Sequence, residues 1–329
     1  MKPQALEAKQ TADTINILNI GLMVLSAFLA YAWPFYLFLI AYAVLGPLHY
    51  LTEISWLHDR HYFSGKRQDA LLLLLIGLLF GATVIAGCPL TAVLPNLIVV
   101  AFLGAIVLTR THSWLARAVL LVASSLFIWL VPVGFTTVVS GMLLLTIVHV
   151  FVFTGCFILF GAMKSASRTG YVSFAVFLSL AALLLLYRSL PAEGVADSFV
   201  VKHYIGGFGD LNLLILRFFN LSPAGANASD PFEFSPGAVA VMRFIAFAYV
   251  YHYLNWFSKT KIIGWYEVSK TRLAGVVVLW LGAVTIYLID YDLGLKLLFT
   301  LSALHVLLEF PLDIKTVVGL ASHTLRRLA

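Results

Sequence analysis

Charge is scarce in this chain. Only 11% of its 329 residues are Asp, Glu, Lys or Arg, against about 25% in ordinary soluble domains. Cysteine is scarcer still: Cys88 and Cys156 stand alone in apolar surroundings, with no C-x-x-C pair. That excludes a disulfide framework and a thiolate metal site. Familiar catalytic signatures are also missing. There is no Walker loop, no G-x-S-x-G elbow, no H-E-x-x-H, and no histidine-box set of the membrane desaturase kind. Low-complexity tracts are absent, and the only internal echo is a short one described below.

What fills the chain is apolar: 61% of the residues are hydrophobic, far above the usual share of about 45–50%. Ten apolar runs can be drawn, at 15–31, 35–57, 69–87, 95–109, 114–131, 136–161, 171–188, 237–257, 272–290 and 294–313. Each is near the length of about 20 residues that crosses a bilayer as a helix. The expectation is an all-α polytopic membrane protein with about ten transmembrane helices, residues 1–329 forming one integral membrane domain. Trp33-Pro34, Cys88-Pro89, Pro95-Asn96, Pro132 with Gly134, and Ser235-Pro236-Gly237 punctuate the runs as turn and helix-start signals. The first run follows a polar stretch and lacks a small-residue cleavage site, so it reads as a retained span and not a signal peptide.

The formal charge of +6 would point to nucleic acid in a soluble protein. Here the basic residues fall in loops, so no nucleic-acid partner is expected. On the ten-span scheme sixteen of the 21 Lys and Arg lie on one side, and Arg188, Lys202, Arg217, Arg243 and Lys296 on the other. The positive-inside rule then places both termini in the cytoplasm, and a bacterial inner membrane is the expected location. The long connection at 189–236 falls on the non-cytoplasmic side. Within it, His203 to Asp210 reads as a glycine-rich hinge and Leu211 to Leu221 as an interfacial or re-entrant helix.

Ionisable residues inside spans are costly, and by default they mark function. Two segments carry H-x-x-x-E: His49 with Glu53, and His305 with Glu309. At i and i+4 both side chains leave one helix face and can share one ion or proton. His149 and His252 sit in two further runs. All four histidines ride even-numbered, mutually parallel spans. They lie roughly 11 to 15 residues in, or about 16–23 Å from the span starts at 1.5 Å per residue. Four imidazoles and two carboxylates at one depth can converge.

Imidazole and carboxylate without thiolate favour non-haem iron, mononuclear or dinuclear, with zinc or manganese as alternatives. Haem is a third use of facing histidines. The candidate metal ligands are His49, Glu53, His149, His252, His305, Glu309 and His58; the candidate catalytic groups are Glu53, Glu309 and Tyr42, which shares the face of His49. His58 lies about 13 Å beyond His49 and on the opposite face, so it joins only if the chain turns back. Taken singly, a histidine in an apolar helix is usually a hydrogen-bonded packing residue; the four at one depth with two carboxylates are what point to a site. His61, His112, His203 and His323 read as loop or interface residues.

The expected activity is metal-dependent oxidation of a hydrophobic membrane-soluble substrate such as a lipid, isoprenoid or carotenoid, with an electron donor as a further partner. One rival is a metal-ion or proton-coupled transporter using the same cluster. Another is a zinc-dependent intramembrane hydrolase.

Gly46-x-x-His49-x-x-x-Glu53 resembles the Gly-x-x-His-x-x-x-Asp element of the bacterial membrane-integral oxygenases that cleave beta-carotene to retinal. The likeness covers Gly46 to Glu53 alone, with glutamate in place of aspartate, and no second motif of that family matches. What it implies is a compact polytopic helical fold holding iron through histidines.

Overall fold

A computed structural model describes residues 3–64, 66–86, 94–111, 113–131, 137–187, 198–221 and 235–328. Among them every regular element is helical. In chain order these are α1 (Pro3–Ala32), α2 (Pro34–Ile40), α3 (Gly46–Asp59), α4 (Ala70–Ala86), α5 (Leu94–Arg110), α6 (Trp114–Trp129), α7 (Thr154–Ser165), α8 (Arg168–Leu186), α9 (Ser198–Phe218), α10 (Pro236–Ser258), α11 (Thr260–Ile263), α12 (Lys270–Ile289) and α13 (Tyr291–Leu328). Wider π-type turns occupy Ala41–Leu45, ahead of α3, and Thr137–Phe153, ahead of α7.

Local chemistry sets many of these boundaries. Pro34 and Pro236 occupy first-turn positions, where the missing N–H costs nothing and φ is already helical. Ser113, Ser167, Ser235 and Ser269 each accept a hydrogen bond from the backbone N–H three residues on, satisfying a donor that the first turn would otherwise orphan. Asp290 does the same for Leu293, so one residue both ends α12 and opens α13. The expected breaks at Cys88-Pro89 and Pro132–Gly134, and His112, lie outside the described residues.

Among the described residues seven helices are long and apolar enough to cross a membrane: Gln10–Ala32, Pro34–Asp59, Leu143–Ser165, Arg168–Leu186, Pro236–Ser258, Lys270–Ile289 and Tyr291–Arg326. That is the architecture of an all-α integral membrane protein. Ala70–Ala86, Pro95–Arg110 and Trp114–Trp129 coincide with three more of the expected apolar runs but are shorter. At 1.5 Å per residue they reach at most about 26 Å, under the hydrocarbon thickness of about 30 Å. Among the described residues seven helices qualify as spans, and the expected count of about ten is not confirmed. The glycine-rich stretch at 206–209 also differs from expectation: α9 runs through Gly206, Gly207 and Gly209 without interruption, so no hinge is present there.

The chain forms two compact units, Met1–Leu45 with Val150–Lys261, and Gly46–His149 with Ile262–Ala329. In the first unit α10 is the central helix, packed on α1, α2, α8 and α9. Nearly all of it is buried, and its polar groups are matched internally. Tyr251 and Ser258 donate to the Asn19 side-chain oxygen. Arg243 lies over the Tyr31 ring at 4.1 Å and donates to the Tyr31 carbonyl.

In the second unit α13 plays the central part, packed on α3, α4, α5 and α12. Its core joins Leu57, Leu73, Phe80, Ala101, Val306 and Phe310. α4 shows how both faces of a helix can be apolar for different reasons. Leu71, Leu75, Leu78 and Leu79 point outward, while Leu73, Ile76, Gly77, Phe80 and Gly81 are buried. Lipid chains are as apolar as leucine, so helix association depends on close packing of small residues. Gly77-Leu78-Leu79-Phe80-Gly81 supplies that surface against α13. A Cβ on Gly77 would fall 2.6 Å from Leu304 Cδ1, and one on Gly81 would collide with Thr300 Cγ2.

Gly77→Leu and Gly81→Leu are therefore expected to destabilise the protein by about 1–3 kcal/mol each through overpacking. Gly21→Ala, where a Cβ meets nothing within 4 Å, should be neutral. Thermal unfolding of the three variants in one detergent measures this; equal midpoints would remove the close-packing account of α4 and α13.

Candidate metal centre

The second unit gathers five of the sequence candidates. His49 and Glu53 come from α3, His149 from the π-type segment, and His305 and Glu309 from α13. Backbone irregularity precedes two of them. The π-type turns at Ala41–Leu45 end four residues before His49, and Thr146 leaves helical geometry (φ −122°, ψ −105°) three residues before His149. Such interruptions re-aim side chains and cluster at functional positions.

The H-x-x-x-E spacing works on α3 as helix geometry requires: His49 Nε2 lies 3.2 Å from Glu53 Oε2. On α13 the carboxylate reaches across to another element, and Glu309 Oε2 stands 3.6 Å from His149 Nδ1. His149 and His305 face each other through their Nε2 atoms at 3.1 Å. The ring of His305 lies 5.3 Å from that of His49 and 4.9 Å from that of His149, near perpendicular to both. Tyr50 stacks on His305, centroids 4.3 Å apart. One potential ligand atom each from His49, His149 and His305 lies within 4.8 Å of the others, and the same holds for Glu53, His305 and Glu309. All five residues are 1–3% exposed.

Does this set fit an ion? Nitrogen ligands at about 2.0–2.1 Å from one centre stand about 2.9–3.4 Å apart at right-angled to tetrahedral geometry. The 3.1 Å between the two Nε2 atoms falls within that interval. A carboxylate beside Nδ1 favours the tautomer that keeps the proton there, leaving the Nε2 lone pair for a metal. Glu309 Oε2 stands in that place beside His149, and it makes no hydrogen bond among the described residues. Buried oxygen and nitrogen donors without thiolate complete a set that can hold a metal ion. Its identity is open between iron, manganese and catalytic zinc on donor chemistry.

Three further sequence candidates are His252, Tyr42 and His58. His252 belongs to the first unit, buried on α10, where its Nδ1 and the Thr154 hydroxyl share a 2.8 Å hydrogen bond. Tyr42 is also in the first unit and is buried against Phe38, Phe208 and Tyr249, an aromatic packing position. His58 is 41% exposed and pairs with Asp59; the chain beyond it does not return it to the cluster. Asp59 also takes Arg272 at 2.6 Å. Trp56 and Arg60, on the His49 face in sequence, donate to the Ile263 carbonyl, with Arg60 stacked over Trp56, and so close one end of the unit.

Two residues escaped sequence reasoning. Tyr50 follows His49 directly, about 100° around the helix, so no face argument selects it. Asp313 is fully buried on α13 and continues the spacing His305-x-x-x-Glu309-x-x-x-Asp313. That extended period was the available signal for it.

No family model, curated protein or solved structure matches this chain.

Tyr50→Ala should cost about 3–5 kcal/mol through the cavity beside His305, while Tyr50→Phe, which keeps the stacked ring, should cost under about 1.5 kcal/mol. Equal losses for the two, read as unfolding midpoints, would mean that ring stacking does not support His305.

Proposed function

We propose that the protein is a membrane-embedded metal-dependent oxidoreductase or oxygenase that holds non-haem iron through His49, His149 and His305, with Glu53 and Glu309 beside them. The substrate is an apolar, membrane-soluble molecule of lipid, isoprenoid or carotenoid type, and an electron donor supplies reducing equivalents. The observation that carries this is the convergence of three imidazoles and two carboxylates, all buried, in a unit otherwise walled by aliphatic and aromatic side chains. Structural packing needs no such concentration of groups that are expensive to bury.

Bound iron would supply redox and Lewis-acid chemistry. The chain itself supplies the rest. His149 and His305 present facing Nε2 atoms, and Glu309 sets a carboxylate 3.6 Å from His149 Nδ1. Glu53 is placed to exchange a proton with His49 Nε2. Tyr50 covers His305 and helps to keep water from the cluster. The apolar outward faces of α4 and α12 favour a substrate that arrives from the lipid phase.

Elemental analysis of the detergent-purified protein tests the proposal. Stoichiometric iron is expected, falling at least about 10-fold in His149→Ala and His305→Ala. It should be retained in His58→Ala, because that residue lies outside the cluster. Stoichiometric zinc in place of iron would shift the assignment to a hydrolase. Metal-free wild-type protein that is stable and folded, or undiminished metal in the two variants, would sink the metal centre altogether.

A further inference from the structure

Beside the beginning of the apolar part of α1 and the end of α10, the first unit leaves a cavity of about 600 Å³, within the range of ligand clefts, about 300–1,000 Å³. Its wall changes character along its length. Gln10, Thr11 and Thr14 line it together with Lys261, and Leu18 and Phe257 continue the wall in apolar form. Among the described residues, no carboxylate lines it. Asp13, a described carboxylate near it in sequence, is held by the hydroxyls of Ser167 and Thr169 at 2.7 and 2.6 Å. Lys261 is exposed and forms no ion pair among the described residues.

The level of the cavity is as informative as its lining. The apolar run of α1 begins at Ile15, and that of α10 ends at Phe257 with Lys259 and Lys261 just beyond it. The polar end of the cavity therefore coincides with the boundary where apolar helix gives way to polar chain. A basic pocket between helices at that boundary suits a lipid headgroup.

We propose that this cavity binds the phosphate of an anionic glycerophospholipid, with an acyl chain lying along Leu18 and Phe257. Lys261 supplies the charge, since its ammonium has three donors and no acidic competitor among the described residues of the cavity wall. The Gln10 amide and Thr11 hydroxyl add neutral donors. Thr14 now donates to the Gln10 carbonyl at 2.9 Å, and rotation of its hydroxyl turns the same proton toward a bound phosphate. A purely apolar ligand would leave these groups unused, and a small hydrophilic anion would leave the Leu18 and Phe257 wall unfilled.

Native mass spectrometry of the full chain in detergent, with dioleoylphosphatidylglycerol or dioleoylphosphatidylcholine added at equal concentration, tests this site. The anionic lipid should be retained about fivefold better, the effect of one basic residue near a membrane surface. Lys261→Gln should abolish the preference, and Lys164→Gln, a lysine outside the cavity, should keep it. Thr11→Glu, which leaves Lys261 intact and adds a negative charge to the wall, should also abolish it. This keeps the test open if Lys261→Gln fails to fold. Failure of millimolar inorganic phosphate to displace the lipid supports a lipid occupant; displacement would assign the site to free phosphate and overturn the lipid. Equal retention of the two lipids, or a preference unchanged in both cavity variants, would overturn the site itself.

Discussion

Burying an ionisable group among apolar helices is expensive unless another polar group answers it, and the second unit is arranged around that constraint. α13 carries Ser302, His305, Glu309, Asp313 and Thr316, all buried, along one side of a 38-residue helix. α3 answers with His49 and Glu53, and the π-type segment answers with His149. An isolated buried carboxylate would cost several kcal/mol. Two carboxylates and three imidazoles that approach within hydrogen-bonding or ligand distance offset much of that cost. They also form a donor set with a common centre. The requirement that stabilises the unit and the chemistry it can perform are thus met by the same atoms.

Such a cluster needs neighbours that hold its helices at fixed spacing. Hydrophobic burial contributes little between helices in lipid, because the lipid-facing and helix-facing surfaces are alike in polarity. The close approach of α4 to α13 at Gly77 and Gly81 takes its place, setting the position of Leu304 and, with it, His305. Tyr50 stacks on the His305 ring as well. The first unit solves a comparable problem differently. α10 is surrounded almost completely, and its buried polar groups are satisfied one by one, by Asn19, Thr154 and Tyr31.

Legibility in the sequence followed the range of the interaction involved. Proline and serine signals located helix starts because their effects act within one turn. The pairing of His49 with Glu53 was legible for the same reason: four residues of helix determine the relation. His305 and Glu309 have the identical spacing, yet Glu309 turns to His149, a choice made by packing between elements that no local rule contains. The glycines of α9 were misleading in the other direction. Their intrinsic flexibility pointed to a hinge, while the surrounding helix, anchored by Asn212 on Tyr204 and the Ala238 carbonyl, is continuous through them.

By itself the sequence determined the all-helical, membrane-type architecture and the polar residues too costly to be casual. Those properties depend on composition and on distance along the chain. Only the tertiary structure decided that Nε2 of His149 faces Nε2 of His305, that Glu309 stands beside His149, that Tyr50 covers the cluster, and that His58 and Tyr42 take other surroundings. Those properties depend on how far one helix rotates and slides against another. A shift of one residue turns a side chain by 100° about its helix, so the meeting of five side chains from three elements is settled by packing alone.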